Sequence, residues 1–281
     1  MANITPDMIK TLRERTGVGM SKCKEALEKA NGDMELAIAN LRKEGAVTAV
    51  KKEGRAANEG VIAIAETPTH IALVEVNAET DFVAKNERFQ KFANDVAQEV
   101  AKTTPASLEA FKQQKFSKDP HVTIEEYRTH LVQVIGENIQ IRRLKILQKG
   151  ANKSIGIYSH LGGKLVTMVE LTGNNGDSAF AKEIAMHVAA ASPEYLSEKE
   201  VPPNILENEK DIARSQIKGK PANIIDKIVE GKINSFYDAA CLTRQKYIKD
   251  DSKTIQELVA AHAKGKPLAL TNFLRWLVGQ G

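Results

Sequence analysis

The sequence predicts an α+β protein. A three-helix bundle opens the chain, and two related halves follow, each a small antiparallel sheet with helices on one face. A helical hairpin belongs to the second half. Three observations carry this. Residues 1–45 hold three short amphipathic stretches separated by capping and stop residues. A hairpin, a corner and a helix then occur twice, as an internal repeat. Finally, residues 203–238 carry apolar positions at three- and four-residue steps on two arms. The expected plan is a bundle over 1–53, a linker over 54–59, a first core half over 60–143 and a second over 144–281 that includes 203–238.

Thr5-Pro6-Asp7 starts the first helix with a capping hydroxyl, a proline suited to the first turn and an acid facing the dipole. Met8, Ile9 and Leu12 mark its inner face, and Thr16-Gly17-Val18-Gly19 breaks it. Cys23, Ala26, Leu27 and Ala30 face inward on the second helix. Asn31-Gly32-Asp33 ends that helix and caps the third, lined by Leu36, Ala37, Ile38 and Leu41 and expected to stop near Gly45. Gly17-Val18-Gly19 is no phosphate loop: Lys22 stands where a third glycine is needed, no strand precedes it, and no GxxxxGK[ST] occurs. Met20, just after these glycines, suits either a core or an adaptable contact surface. From Val47 to Asn58 the chain turns small and charged, a linker that begins as fraying helix.

Gly60 to Ile64, a turn at Thr67-Pro68 and the run Ile71 to Val76 form the first hairpin. A helical period then runs from Val83 through Phe89, Phe92, Val96 and Val100. Asp81 and Phe82 fall at the corner between them, where two readings stay open. Thr80 or Asp81 caps the helix and Phe82 tucks beneath it, or the corner presents its side chains outward. Leu108, Phe111 and Phe116 belong to a charged helical insertion turned at Asp119-Pro120. Tyr127 to Ile135 reads as helix stopped by Gly136, and Ile139-Gln140-Ile141 as strand.

The second copy has Ile155-Gly156-Ile157, a turn at Leu161-Gly162-Gly163 that exposes His160, Leu165 to Leu171, and a helix through Ile184 to Ala189. Its corner reads Asn174-Asn175-Gly176-Asp177, without an Asp-Phe pair. The same scaffold with different corners points to the corner as the seat of function. Val201-Pro202-Pro203 opens the helical hairpin. One arm carries Ile205, Leu206, Ile212 and Ile217, Lys218 to Pro221 turns it, and the other carries Ile224, Ile225, Ile228, Val229, Ile233 and Phe236. A helix over Thr254 to His262 and a last strand over Phe273 to Gly279 complete the second half.

Composition bounds the function. The 281 residues are 42% hydrophobic and 27% charged, ordinary for a globular protein. Forty basic against thirty-six acidic residues give +4, dispersed and with only 5% aromatics, which argues against nucleic acid. Cys23 and Cys241 are far apart and fit reduced thiols, and no run approaches the ~18 apolar residues of a membrane span. A soluble, cytoplasmic protein is expected. No HExxH, GxSxG or metal-ligand spacing occurs, and His187 among Ile184, Met186 and Val188 reads as a satisfied, partly buried imidazole. Neither covalent catalysis nor a cofactor is expected.

Thr80-Asp81-Phe82-Val83-Ala84-Lys85-Asn86 closely resembles the central motif of the bacterial elongation factor Ts family. Leu12 to Gly17, Cys23-Lys24, Ala26-Leu27, Asn31-Gly32-Asp33, Ile135 to Ile139 with Arg142-Arg143, and Ile184 to Ala189 match in the family's order. The resemblance implies a ubiquitin-associated-like bundle and guanine-nucleotide exchange on elongation factor Tu, without a cofactor or a metal of its own. It implies that Thr80, Asp81, Phe82 and Val83 act in nucleotide release, by shifting a switch helix and upsetting the partner's Mg²⁺ shell. Met20 and Lys24 would face the partner's GTP-binding domain. Ile135 and Gly136 would lie near the corner, and His160, Tyr247 and Ile248 would make further contacts. The helical hairpin resembles the family's coiled-coil module, leaving a homodimer or heterotetramer through the second half open. The sequence ends at Gly281 without the long C-terminal helix of some members, so contacts made there are not expected. The competing reading is an adaptor that holds a peptide on the bundle and dimerises through the hairpin.

Overall fold

The computed structural model describes residues 3–173, 176–217 and 222–280. Helix α1 (Pro6–Thr16) begins at Thr5, whose hydroxyl accepts the Met8 N–H at 3.3 Å. Helix α2 (Met20–Lys29) follows the Gly17–Gly19 loop, and Asp33 caps α3 (Met34–Lys52) by accepting the Leu36 N–H at 2.9 Å. Leu12, Val18, Cys23, Leu27, Ala37 and Leu41 close a small apolar core between these helices. Two expectations fail here. Helix α3 does not stop near Gly45 but runs through it, and Leu36 is 48% exposed.

Strands β1 (Glu59–Glu66) and β2 (His70–Ala78) form the first hairpin, with Val61 opposite Val76 and Ile64 opposite Leu73. A single turn, α4 (Asp81–Ala84), precedes α5 (Glu87–Thr103), whose Phe89, Phe92, Val96 and Val100 are fully buried. The insertion is not purely helical. After α6 (Leu108–Gln113) comes a β-hairpin of β3 (Lys115–Phe116) and β4 (Asp119–Thr123). Phe116 is thus on a strand, and Asp119-Pro120 starts β4 instead of turning the chain. Helix α7 (Ile124–Ile135) leads to β5 (Gln140–Gln148), which completes an antiparallel sheet of order β1-β2-β5. Ala49 of α3 packs into the core beneath this sheet. Gly45 is buried inside the helix where it faces α7, and an added Cβ there would lie 2.9 Å from Oε1 of Gln133, the end of a flexible side chain.

The chain forms two compact units, Met1–Gln148 with Leu277–Gly281, and Lys149–Trp276. The second repeats the plan of the first. Strands β6 (Lys153–His160) and β7 (Leu165–Gly173) pair, and α8 (Ser178–Ala191) packs on them. Helices α9 (Pro203–Ser215) and α10 (Ala222–Ala240) share a seam of Ala213, Val229 and Ile233, flanked by Leu206, Ile217, Ile225 and Tyr237. Ile212 and Ile224, expected in that seam, are exposed. The turn at Lys218 to Pro221 lies outside the described residues, as do Asn174 and Asn175. Strands β8 (Lys246–Tyr247) and β9 (Asp250–Thr254), helix α11 (Ile255–Ala263) and β10 (Leu268–Leu277) follow, giving sheet order β10-β7-β6.

The repeat also reaches further than hairpin and helix. Gln114-Lys115-Phe116 with Thr123-Ile124 and Glu126 matches Gln245-Lys246-Tyr247 with Thr254-Ile255 and Glu257. Both blocks form the same short hairpin and capping box, and each glutamine carbonyl accepts the isoleucine N–H at 3.0 Å. Each hairpin lysine also reaches an acid on the unit's long helix: Lys118 to Asp95 at 2.6 Å and Lys249 to Glu183 at 3.3 Å.

Candidate functional site: a pinned corner

The corner after β2 begins with Thr80, whose hydroxyl accepts the Val83 N–H at 3.3 Å and caps α4. That is the capping reading for Thr80. Phe82, however, does not tuck under the helix: it is 82% exposed. The backbone that carries it is held from the far end of α7. Gly136 takes φ 89°, a left-handed stop that an L side chain adopts with difficulty. It turns the chain so that Glu137 faces the corner. One Glu137 carboxylate oxygen accepts the Glu79 and Thr80 N–H groups at 3.1 and 3.0 Å, and the other accepts the Thr80 hydroxyl at 2.7 Å. Glu79 answers in kind, its Oε1 accepting the Asn138 N–H at 2.7 Å. Charge-assisted bonds to two successive amides fix a strand end more firmly than neutral ones would.

Asp81 pairs at 2.9 Å with Lys85, which caps the C-terminal end of the same short helix, and Val83 and Ile135 rest half-buried against the first core. Thr80, Asp81, Phe82, Val83, Ile135 and Gly136 therefore gather in one region of the first unit. Met20, 53% exposed, opens α2, and Lys24 is exposed and 3.7 Å from Glu28. The loop before Met20 is tied to the start of α5, where Arg88 Nη1 donates to the Gly17 carbonyl at 3.4 Å.

The remaining candidates lie in the second unit. His160 ends β6, exposed, with its Nδ1 3.0 Å from the Tyr158 hydroxyl. Ile248 is half exposed at the tip of the β8–β9 hairpin, whereas Tyr247 is buried and donates its hydroxyl to Glu183 at 3.1 Å. Of that pair only Ile248 offers a surface, because Tyr247 fills the position that Phe116 fills in the first unit.

Glu137 and Asn138 lie in the Ile135 to Ile139 stretch that carries the resemblance, but the sequence assigns no role to them or to Glu79. Their signal was present: polar residues immediately flanking a corner and a glycine stop, in segments that otherwise read as plain termini. Burial raises the thiol pKa values of Cys23 and of Cys241, the latter pushed up to about 11, so both stay protonated. Among the described residues no cluster of His, Cys, Asp and Glu is disposed to hold a metal ion, and no helix is long and apolar enough to cross a membrane.

The family model described as elongation factor TS matches residues 79–280, beginning at the corner itself. A protein named elongation factor Ts from Protochlamydia amoebophila (strain UWE25) is 65% identical over 282 residues, spanning all of both chains. The proteins of that name from Chlamydia muridarum (strain MoPn / Nigg) and Chlamydia trachomatis serovar L2 are each 43% identical over 281 residues, 99% of this chain and 100% of theirs. With a family model over residues 79–280 and a relative 65% identical over the whole length, the chain belongs to the elongation factor Ts family, the nucleotide exchange factors of translation elongation.

Proposed function

We propose that this chain binds elongation factor Tu carrying GDP and speeds GDP release, using the Phe82 corner as its working element. The observation that carries the reading is a large apolar side chain left 82% exposed on a backbone pinned by Glu137. Burying a phenylalanine in a partner gains roughly 1.5–3 kcal/mol. A pre-fixed backbone loses little conformational freedom in doing so. An exchange factor must bind the nucleotide-free partner more tightly than the GDP form, and that preference is reciprocal: whatever favours the factor disfavours GDP. Phe82 wedging beside a switch helix, with Asp81 bringing negative charge toward phosphates and Mg²⁺, supplies such a preference. The product is a nucleotide-free complex that GTP resolves.

Met20 and Lys24 on the bundle, taken as residues 1–53, then hold the partner's nucleotide domain. Ile135 and Gly136 border the wedge, and His160 and Ile248 extend the contact from the second half. The site of action is the cytoplasm, where translation proceeds. Release of labelled GDP from elongation factor Tu, with and without this chain, tests the reading. Stimulation is expected, and capture of the GTPase should weaken as GDP rises. Capture that ignores GDP, with no stimulated release, would replace the exchange factor with an adaptor.

A further inference from the structure

The stretch that leaves α3 was expected to be a loose linker, yet its backbone is stitched to the segment that pins the corner. Asn138 is fully buried, and its Nδ2 donates to the carbonyls of Glu53 at 3.3 Å and Arg55 at 2.8 Å. Gln140 Nε2 donates to the same Glu53 carbonyl at 3.3 Å, and Lys52 Nζ donates to the Gly136 carbonyl. Arg55 reaches the Glu79 carboxylate at 3.5 Å, the group that accepts the Asn138 N–H. Asn138 Oδ1 has no donor among the described residues. The residue is therefore placed for what its amide nitrogen and backbone N–H hold, one on each side. On one side lies the exit of the bundle; on the other lies Glu79, one residue before the cap of the Phe82 turn.

We infer that Asn138 is a positioning residue, and that through it residues 52–55 make the N-terminal bundle set the Phe82 corner. The inference rests on the wedge reading of Phe82. A bundle that merely tethers the partner would change how much factor is needed for half-maximal stimulation. A bundle that also positions the corner changes the maximal rate. The bonds run in an unbroken physical chain, from Glu53 and Arg55 through Asn138 to Glu79, Thr80 and the first turn of α4. Only their energetic coupling has to be measured.

The experiment is GDP release from elongation factor Tu at increasing concentrations of the parent, Asn138→Ala, Phe82→Ala and the double variant, with melting temperatures taken on each. Asn138→Ala is expected to lower the maximal stimulated rate about tenfold while moving the half-saturating concentration less than about twofold. In the Phe82→Ala background its effect should shrink below about twofold, because the side chain being positioned is gone. The same loss in both backgrounds, or a change in half-saturation alone, would overturn the inference. Phe82→Ala releasing GDP at the parent rate would instead overturn the wedge reading itself. Should Asn138→Ala fail to fold, a Gly-Ser insertion between Glu53 and Gly54 lengthens the strap and leaves every side chain in place. A lowered maximal rate then supports positioning, and parent behaviour overturns it.

Discussion

The two units share a scaffold of hairpin and helix and hold its corner differently. In the first, α7 runs on to Ile135, and Glu137 beyond its glycine stop takes the corner's backbone N–H groups, which leaves the Phe82 side chain unused by the fold. In the second, α11 is shorter and ends at Ala263, and Asp177 both caps α8 and reaches His262 on α11. Asp177 Oδ1 accepts the Phe180 N–H at 2.6 Å, and its Oδ2 lies 3.1 Å from His262 Nε2. Phe180 stacks on that imidazole with ring centroids 3.7 Å apart and is only 9% exposed. Phe180 is the counterpart of Phe92 in the helix pattern that the units share, and both rings are buried. What the first unit adds is a further aromatic, Phe82, on the short turn before that helix.

The largest effect expected from breaking this contrast is on folding. Phe180→Ala removes a buried ring and its stacking on His262, and should cost about 3–5 kcal/mol of stability in the second unit. Melting followed by Trp276 fluorescence measures it, since this single tryptophan belongs to the second unit. GDP release per folded molecule should not change. A variant that melts like the parent would mean that the second corner does not depend on its aromatic.

Phe82→Ala should do the opposite. Folding should change by no more than about 0.5 kcal/mol, as for other surface substitutions. Losing about 2 kcal/mol of differential burial would slow stimulated release about thirtyfold. Asp81→Ala should act in the same step, with the pair falling short of additive because both residues meet one site. A destabilised Phe82→Ala protein with parental release would return this phenylalanine to a structural role, erasing the difference between the corners.

Much of this was legible in the sequence where the cause is local. Thr5-Pro6, Asp33, Thr67-Pro68 and Gly136 each mark a boundary through their own chemistry, and the structure puts helix starts, a turn and a helix stop there. What escaped had distant causes. Gly45 alone reads as a stop, and only the packed face of α3, where Gly45 and Ala49 are both buried, shows that the helix continues. The cap at Thr80 was readable, but it leaves the fate of Phe82 open, because the length of α7 and the reach of Glu137 decide that. The second repeated block was visible to a direct comparison of Gln114 to Glu126 with Gln245 to Glu257. It was hidden by reading Phe116 as part of a helix.

The units also differ in the titratable groups buried on α5 and α8, and mild acid should separate them. Asp95 on α5 is desolvated, which raises its carboxyl pKa, but bonds from Lys118, Lys91 and Tyr127 outweigh this and hold it below its ordinary value. Its contribution to stability is present above the unfolded value near ~3.9 and is lost only in stronger acid. His187 on α8 is buried, and desolvation lowers its pKa, against a smaller upward pull from Gln245. Its tautomer follows from its neighbours. The Ile248 N–H can only donate, so Nδ1 accepts it at 3.3 Å, and Nε2 carries the proton toward Gln245 Oε1 at 3.0 Å. A second proton would fall on Nδ1 and break the bond to the hairpin that presents Ile248. The unfolded chain takes that proton near pH ~6.5, so the stabilisation is whole above this value and is lost as the pH falls below it, by at most about 1.4 kcal/mol per unit. His130 on α7 is shifted the same way, by burial and then by Arg42, so acid also loads the first unit. The second is therefore isolated with His187→Gln, which keeps a donor and an acceptor but does not titrate. Followed by Trp276 fluorescence at pH 7.5 and 5.5, the parent should lose stability on acidification. His187→Gln should start lower and change less. Equal slopes in the two proteins would assign the acid sensitivity of the second unit to another group.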